Sequence, residues 1–285
     1  MKKFLIVVAY FSLISVLMSQ TKQYCRFEYN GKIQYGIVIG EKVHGLKEAP
    51  WLSNDESGVA VNLDEVRLFY PSEPNVIIGL SKSYKTSWEN KTPPKFVRWF
   101  IKPSTSAAGD GEEVVLPALV DEAKVECELV IVIGKTVKNA DMEEASKAIF
   151  GFTLGNDIVG STDSFHKLQG EPLDMKEGVL GPGLKVGDKF EPFGPFIYTG
   201  IDWRDHGWTI KIDNESTNKH IEYDGNTNEL LYPPALIVSQ MSEMMTLKPG
   251  DIISTGTAKS FLVSNGDIVT LEMDGIGKLI NKIVK

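Results

Sequence analysis

Short apolar runs of strand length, separated by turn residues, dominate the hydrophobic pattern of this chain. Two of them, 24–29 and 32–39, flank Asn30-Gly31, the dipeptide that most readily supplies the positive φ angles of a tight hairpin. A further run at 43–46 adds a third candidate strand. The N-terminal part therefore predicts a small unit rich in β-structure.

Strand-like runs continue through the rest of the chain, with few helical patterns. Residues 125–133 alternate at first and then become wholly apolar, which predicts one strand that enters the interior. Asp141 and Glu144 form a capping-box pattern, so we predict a helix over 142–150. Apolar spacing predicts a second helix over 233–245. The other predicted strands are 75–80, 96–102, 152–157, 196–198, 208–212, 220–223, 252–255 and 268–273. The fold class is therefore mixed, mainly β.

The first 20 residues are typical of a targeting segment. Lys2 and Lys3 precede the apolar run 4–18, which is shorter than the ~20 residues that span a bilayer. We expect residues 1–20 to be a signal peptide or, if the large Leu17 prevents cleavage, an anchor. A mis-assigned start or a buried strand are the alternatives. No later segment is long and apolar enough to cross a membrane.

The sequence thus divides into three parts: the leader at 1–20, the small β-rich unit at 21–70, and a main domain at 71–285. A genuine leader would export the protein to the periplasm or the medium. Without one, the protein would be cytoplasmic.

Charge and cysteine content exclude several classes of protein. The formal net charge of −8 over 285 residues argues against nucleic acid as a partner. It leaves a small anionic substrate open, because a bound metal ion reverses the local field. Cys25 and Cys127 are the two cysteines, which excludes a disulfide scaffold and a metal site built on cysteine.

Three carboxylates are the strongest chemical signal. Glu126 and Glu128 are separated by one residue, and residues i and i+2 of a strand share a face. Such a pair binds a cation, shares a proton or faces open water; the apolar stretch 130–133 favours an interior position. Asp157 follows another predicted strand. Three carboxylates with no nearby cysteine or histidine favour a hard cation: Mg²⁺, Mn²⁺ or Ca²⁺.

Two further positions are candidates for substrate contact. Lys185 follows a glycine-rich segment, and beside a metal it would hold a carboxylate or transfer a proton, although its position equally fits a surface lysine. Residues 255–257 read Thr-Gly-Thr, and their N–H and hydroxyl groups suit a carboxylate. An ordinary tight turn is the alternative. The four histidines show no metal-ligand spacing.

Several short motifs follow one another in a fixed order over residues 75–285. They are 100–104, 125–134, 151–153, Asn156-Asp157, Lys185 with 188–195, 246–251, 255–257 and 274–277. In order and spacing they resemble the fumarylacetoacetate hydrolase family. The stretch 24–46 is similar to the small N-terminal domain that many members carry.

This resemblance implies a β-roll catalytic domain with the active site at its mouth, assembled as a homodimer. It implies that Glu126, Glu128 and Asp157 bind Mg²⁺ or Mn²⁺. Family members hydrolyse, decarboxylate, isomerise or tautomerise small 2-oxo acids and β-dicarbonyl compounds, and in each reaction the metal stabilises an enolate.

The resemblance also assigns roles around the metal. Lys185 matches the lysine beside the metal and is the candidate catalytic residue. Thr257 matches a threonine that holds the substrate, and we expect Gly256 and Tyr84 to contribute to the same substrate site.

The sequence departs from the family pattern in the lid motif Asn-Tyr-x-x-His-x-x-Glu. Tyr84 remains, but Ser87 and Asn90 replace the histidine and glutamate that activate water. An arginine common after Asp157 is missing, and Ala258 replaces a proline. Isomerisation, tautomerisation or decarboxylation therefore fits better than C–C hydrolysis, because a neutral serine is no base. The alternative is a metal- and ligand-binding protein that has lost catalysis.

Overall fold

The computed structural model describes residues 21–118, 120–161 and 185–285. The leader at 1–20 lies outside these residues and stays a prediction. The position of the missing arginine lies outside them as well. Among the described residues, no helix combines the length and apolar character needed to cross a membrane.

Among the described residues, strands are far more extensive than helices, which confirms the mixed, mainly β class. These residues include two α-helices, α1 (Met142–Ala148) and α2 (Pro234–Met244). In chain order the strands are β1 (Lys22–Tyr29), β2 (Lys32–Ile39), β3 (Lys42–Leu46), β4 (Glu56–Asn62), β5 (Arg67–Phe69), β6 (Ile77–Ser81), β7 (Arg98–Lys102), β8 (Ala107–Ala108), β9 (Glu113–Val115), β10 (Glu122–Val125), β11 (Cys127–Ile133), β12 (Ile149–Asn156), β13 (Val159–Gly160), β14 (Glu191–Pro192), β15 (Phe196–Thr199), β16 (Gly207–Asn214), β17 (Lys219–Asn226), β18 (Ile252–Ser254), β19 (Phe261–Ser264), β20 (Ile268–Met273) and β21 (Gly277–Val284).

One 11-stranded sheet organises the fold. Its order is β4-β3-β2-β1-β15-β12-β11-β18-β6-β7, and β5 pairs with β1. A five-stranded sheet, β17-β16-β20-β21-β9, a three-stranded sheet, β13-β10-β19, and the two-stranded pair β14-β8 complete the roll. All seven residues of β11 are buried, as the wholly apolar end of this segment predicted.

The N-terminal hairpin is confirmed. Asn30 and Gly31 both have positive φ angles, 51° and 73°, and Tyr29 pairs with Lys32 across the turn. Because β1 also pairs with β15, the N-terminal strands extend the main sheet. The predicted boundary near residue 70 falls just after β5.

Helix α1 ends earlier than the sequence predicted. We expected the helix to continue to Phe150, whereas Ile149 already begins β12. Ile149 pairs with Ile133 of β11, and a β-branched residue packs well in such a ladder. Pairing with a buried central strand therefore overrides the local helical pattern.

The predicted strand over 125–133 is interrupted at Glu126. Strand β10 pairs with β13 and β19, while β11 pairs with β12 and β18 of the main sheet. The N–H of Glu126 donates to the side-chain oxygen of Asn156 at 3.1 Å, a side-chain bond in place of a ladder bond. Glu126 therefore lies at the junction of two sheets.

The N-terminus of α1 provides a test of local stability. The Asp141 carboxylate accepts the N–H groups of Glu143 and Glu144 at 2.8 Å each, and the N–H of Asp141 donates to the Glu144 carboxylate at 3.1 Å. We expect Asp141→Ala to lower the free energy of unfolding by about 1 kcal/mol. Urea denaturation followed by circular dichroism measures this. The control Glu143→Ala removes only an exposed pair with Lys147 and should change stability far less; equal effects would contradict the capping argument.

Candidate metal centre

Three carboxylates from separate parts of the chain converge on one point. Glu126, Glu128 and Asp157 each offer an oxygen, and the three oxygens lie within 4.8 Å of one another. The pairing of Cys127 with Asn156 in the β11–β12 ladder brings Glu128 and Asp157 to the same end of the sheet. The spacing is what a single hard cation requires of its ligands.

Without a cation, the burial of these carboxylates side by side would be electrostatically unfavourable. Glu128 and Asp157 are fully buried, and the Glu126 side chain is 17 % exposed. Burial raises the pKa of Glu128 well above its ordinary value, and the charges of Asp157, Glu126 and Glu191 raise it further. Burial likewise raises the pKa of Glu126, with Lys185 acting against it.

The hydrogen bonds of Glu128 leave one oxygen free for a ligand. Its Oε2 atom accepts the N–H of Gly256 at 2.7 Å, while its buried Oε1 atom has no hydrogen-bond partner among the described residues. A buried carboxylate oxygen without a partner is costly. The donor set and this orphaned oxygen fit Mg²⁺ or Mn²⁺.

Lys185 lies at the edge of the cluster. Its Nζ atom donates to Asp157 and, at 3.4 Å, to Glu126, and it sits 4.8 Å from the ring centroid of Phe100. Burial alone would lower the pKa of Lys185, but Asp157 and Glu126 outweigh it and raise the pKa above its usual value. Lys185 is therefore a charged donor, and the surface position that its sequence context also allowed is excluded.

A second lysine supports the cluster from behind. The Nζ atom of Lys102 is fully buried and donates to Asp157, to Glu191 at 2.7 Å and to the carbonyl of Phe190 at 2.6 Å. Sequence reasoning missed Lys102 as a site residue and noted it only within a motif. The available signal was a lysine that ends an apolar strand, because a buried lysine requires ionic partners.

The pKa values of Asp157 and Glu191, which both accept a hydrogen bond from Lys102, are shifted in opposite directions. Burial alone would raise the pKa of Asp157, but Lys102 and Lys185 outweigh it and lower the pKa. Burial raises the pKa of Glu191 to about 7, although Lys102 and the hydroxyl of Ser254, a 2.5 Å donor, oppose the shift. Asp157 contacts two ammonium groups, so it is the fixed anion of the site.

A cleft of about 500 Å³ opens beside the cluster. Glu126, Lys185, Thr257 and Ser87 line it. The structure therefore brings Thr257 and Lys185 together with the carboxylates, as the predicted substrate site requires.

The other two predicted substrate contacts lie behind the cleft wall. The N–H of Gly256 is taken by Glu128, and the positive φ of 85° at Gly256 suits glycine, because a Cβ there would collide with Ser83. Tyr84 is fully buried in the core, where burial and the charge of Glu128 raise its pKa. Neither is among the residues that line the cleft. Gly256 therefore holds the Glu128 carboxylate in place, whereas Tyr84 belongs to the hydrophobic core.

Comparison with known proteins matches nearly the whole described chain. Residues 77–284 match the family described as "Fumarylacetoacetate (FAA) hydrolase C-terminal", and residues 22–71 match "Rv2993c-like, N-terminal". The 4-hydroxyphenylacetate degradation bifunctional isomerase/decarboxylase of Salmonella dublin is 34% identical over 211 residues, which are 73% of this chain and 46% of that protein. The chain thus spans about half the length of this relative.

Solved structures share the fold. An uncharacterized protein from Mycobacterium abscessus superposes with a TM-score of 0.79 at 28% identity, covering 92% of this chain and 99% of that chain. The 5-carboxymethyl-2-hydroxymuconate delta-isomerase from Mycobacterium smegmatis gives a TM-score of 0.77 at 28% identity, with the same coverage of both chains.

The role of Lys102 can be measured without metal or substrate. We expect Lys102→Met to destabilise the protein by about 3–5 kcal/mol, because it leaves the buried carboxylate of Glu191 without its ion-pair partner and leaves Asp157 with one ammonium group instead of two. The double variant Lys102→Met/Glu191→Gln should cost less than the sum of the single changes, with a coupling of about 0.5–3 kcal/mol. Urea unfolding measures all three variants.

A matched control for this cycle is Lys147→Met, which changes an exposed lysine on α1. Additive effects of the two substitutions, or a Lys102→Met variant as stable as the Lys147→Met control, would contradict the proposed role of Lys102.

Proposed function

The chain belongs to the fumarylacetoacetate hydrolase family, and we propose that it is a metal-dependent enzyme of this family that acts on a small 2-oxo acid or β-dicarbonyl compound. The main support for this proposal is the convergence of three carboxylate oxygens within 4.8 Å of one another, beside a cleft of about 500 Å³. The orphaned Oε1 atom of Glu128 supports a cation at this point.

Glu126, Glu128 and Asp157 would hold Mg²⁺ or Mn²⁺, and Lys102 would keep Asp157 in place. When bound, the ion supplies Lewis acidity to the oxo and carboxylate oxygens of the substrate.

The remaining steps belong to groups of the chain that line the cleft. The Lys185 ammonium stabilises negative charge on the substrate oxygen and serves as the group that gives a proton there. The hydroxyl of Thr257 orients the substrate carboxylate.

Ser87 supports a reaction without a base-activated water. It lines the cleft at the position of the family histidine, and a neutral hydroxyl does not take a proton from water near pH 7. Asn90, at the glutamate position, is exposed and does not line the cleft. Isomerisation, tautomerisation or decarboxylation is therefore favoured over C–C hydrolysis. The names of two relatives above, an isomerase/decarboxylase and a delta-isomerase, support the same choice.

The same substitution favours a second candidate, a binding protein that retains metal and ligand but not turnover. Among the described residues that line the cleft there is no histidine, and Lys185 is already protonated, so the carboxylate of Glu126 would have to accept the proton. Proton exchange on a bound ligand separates the two candidates.

Metal binding tests the carboxylate cluster. At a Mn²⁺ concentration of 100 times Kd, we expect the wild-type protein to gain about 2.7 kcal/mol of stability. Glu128→Gln should lose most of this gain, because it removes the charge of a central ligand. Thermal denaturation with and without Mn²⁺ measures the gain, and electron paramagnetic resonance counts bound ions. The exposed Glu113→Gln serves as the control; a Glu128→Gln variant that binds like this control would refute the site.

Turnover is tested by hydrogen exchange. In D₂O with Mg²⁺, we expect the wild-type protein to accelerate deuterium uptake at the carbon beside the oxo group of a 2-oxo acid. Lys185→Gln should slow this uptake by a factor on the order of 10²–10⁴, the usual contribution of a proton-transfer group. Proton NMR follows the reaction, with Lys138→Gln as an exposed-lysine control. Ligand binding with no exchange would instead select the binding protein.

A further inference from the structure

The cleft beside the metal cluster is basic, although the chain carries a formal net charge of −8. In the part of the chain that the structure describes, its charged lining consists of one acidic residue, Glu126, and four lysines. Lys185 is already paired with Asp157 and Glu126. The other three are Lys82, Lys124 and Lys259. Among the described residues, no carboxylate lies within ion-pair distance of these three ammonium groups.

Lys124 lies on the strand that leads into the metal cluster. It is exposed on β10, and its cross-strand neighbours are the apolar residues Val159 and Leu262. Two residues later the chain reaches Glu126, which lines the same cleft. The charge of Lys124 therefore acts on the cleft without a paired carboxylate opposite it in the sheet.

Aromatic rings hold Lys259 in position. Its Nζ atom lies 4.7 Å from the ring centroid of Tyr223 and 5.2 Å from that of Phe261. Cation–π contacts restrict an ammonium group without neutralising its charge. Lys259 follows Thr257 by two residues and precedes β19, which pairs with β10. Lys124 on β10 and Lys259 in the segment that leads into β19 thus both line the cleft beside the β10–β19 pair.

The backbone of Lys82 adds a third, independent feature. Its φ angle is +54°, a left-handed conformation that is uncommon for residues other than glycine, asparagine and aspartate. The indole N–H of Trp88 donates to the carbonyl of Lys82 at 2.6 Å and fixes this turn. Such backbone strain concentrates at functional sites.

We infer that Lys124 and Lys259 form a second anion-binding subsite, which takes a carboxylate at the far end of a 2-oxo acid whose oxo-acid end lies at the carboxylate cluster. The inference rests on the proposed function and deepens it, because it makes the preferred substrate a dianion. A carboxylate between two ammonium groups gains charge-assisted hydrogen bonds. Lys82 adds to the positive field that attracts the dianion into the cleft.

The experiment compares two acids of equal carbon number. 2-Oxoglutarate carries a second carboxylate, and 2-oxopentanoate ends in a methyl group. Calorimetric titration into the Mn²⁺-loaded full chain gives both dissociation constants. We expect the wild-type protein to prefer 2-oxoglutarate by about tenfold or more, a ratio that falls as added salt screens the lysines.

Variants then test which lysines produce the preference. Lys124→Gln and Lys259→Gln should each reduce the ratio of affinities by about threefold to fivefold, as expected for partly exposed ion pairs, and the double variant should bring the ratio close to one. The control Lys147→Gln, on α1 and outside the cleft, should leave the ratio as in the wild type. None of these lysines carries a buried charge, so the thermal midpoints of the variants should remain near the wild-type value.

The outcomes separate this subsite from the proposed function. Both acids could bind with equal affinity, and Glu128→Gln could abolish the binding of both. That outcome would refute the subsite but not the proposed metal-dependent function. A preference that survives in the double variant also refutes the subsite. If neither acid binds the wild-type protein, the proposed function fails and the subsite fails with it.

Discussion

The contact of Asp157 with two ammonium groups is the interaction on which the rest of the site depends. Three carboxylates gathered in a dry interior repel one another, and without cations they would not share a space less than 5 Å across. Lys102 balances Asp157 from the core, and Lys185 balances it from the cleft. Lys102 is thus a buried part of the fold, whereas Lys185 lines the cleft, where a ligand can contact it.

The convergence of the three carboxylates was predictable because the signals for it are local. Alternation along one strand suggested that Glu126 and Glu128 share a face; the structure interrupts this strand at Glu126 and still brings the two carboxylates together. Asp157 directly follows β12. The order of the motifs along the chain indicated the family, and the comparisons confirm it. The hairpin at Asn30-Gly31 was predictable for the same reason, since two residues determine its turn.

The remaining features depend on partners distant in the chain. Whether Lys102 is buried with Asp157 and Glu191 follows from strand pairing, which a single lysine at the end of an apolar run does not reveal. The break at Glu126 depends on Asn156, 30 residues away, which takes its N–H. Tyr84 matched the family motif, yet the sequence could not show that it packs in the core.

The unequal exposure of the three carboxylates bears on the order of binding that the proposed function would require. Of the three, Glu126 reaches the cleft, whereas Glu128 and Asp157 are fully buried behind it. On that proposal, an ion from solvent would meet Glu126 first and would cross the space that a substrate would later fill. A bound substrate would then block the ion's exit, so the metal would bind before the acid and leave after it.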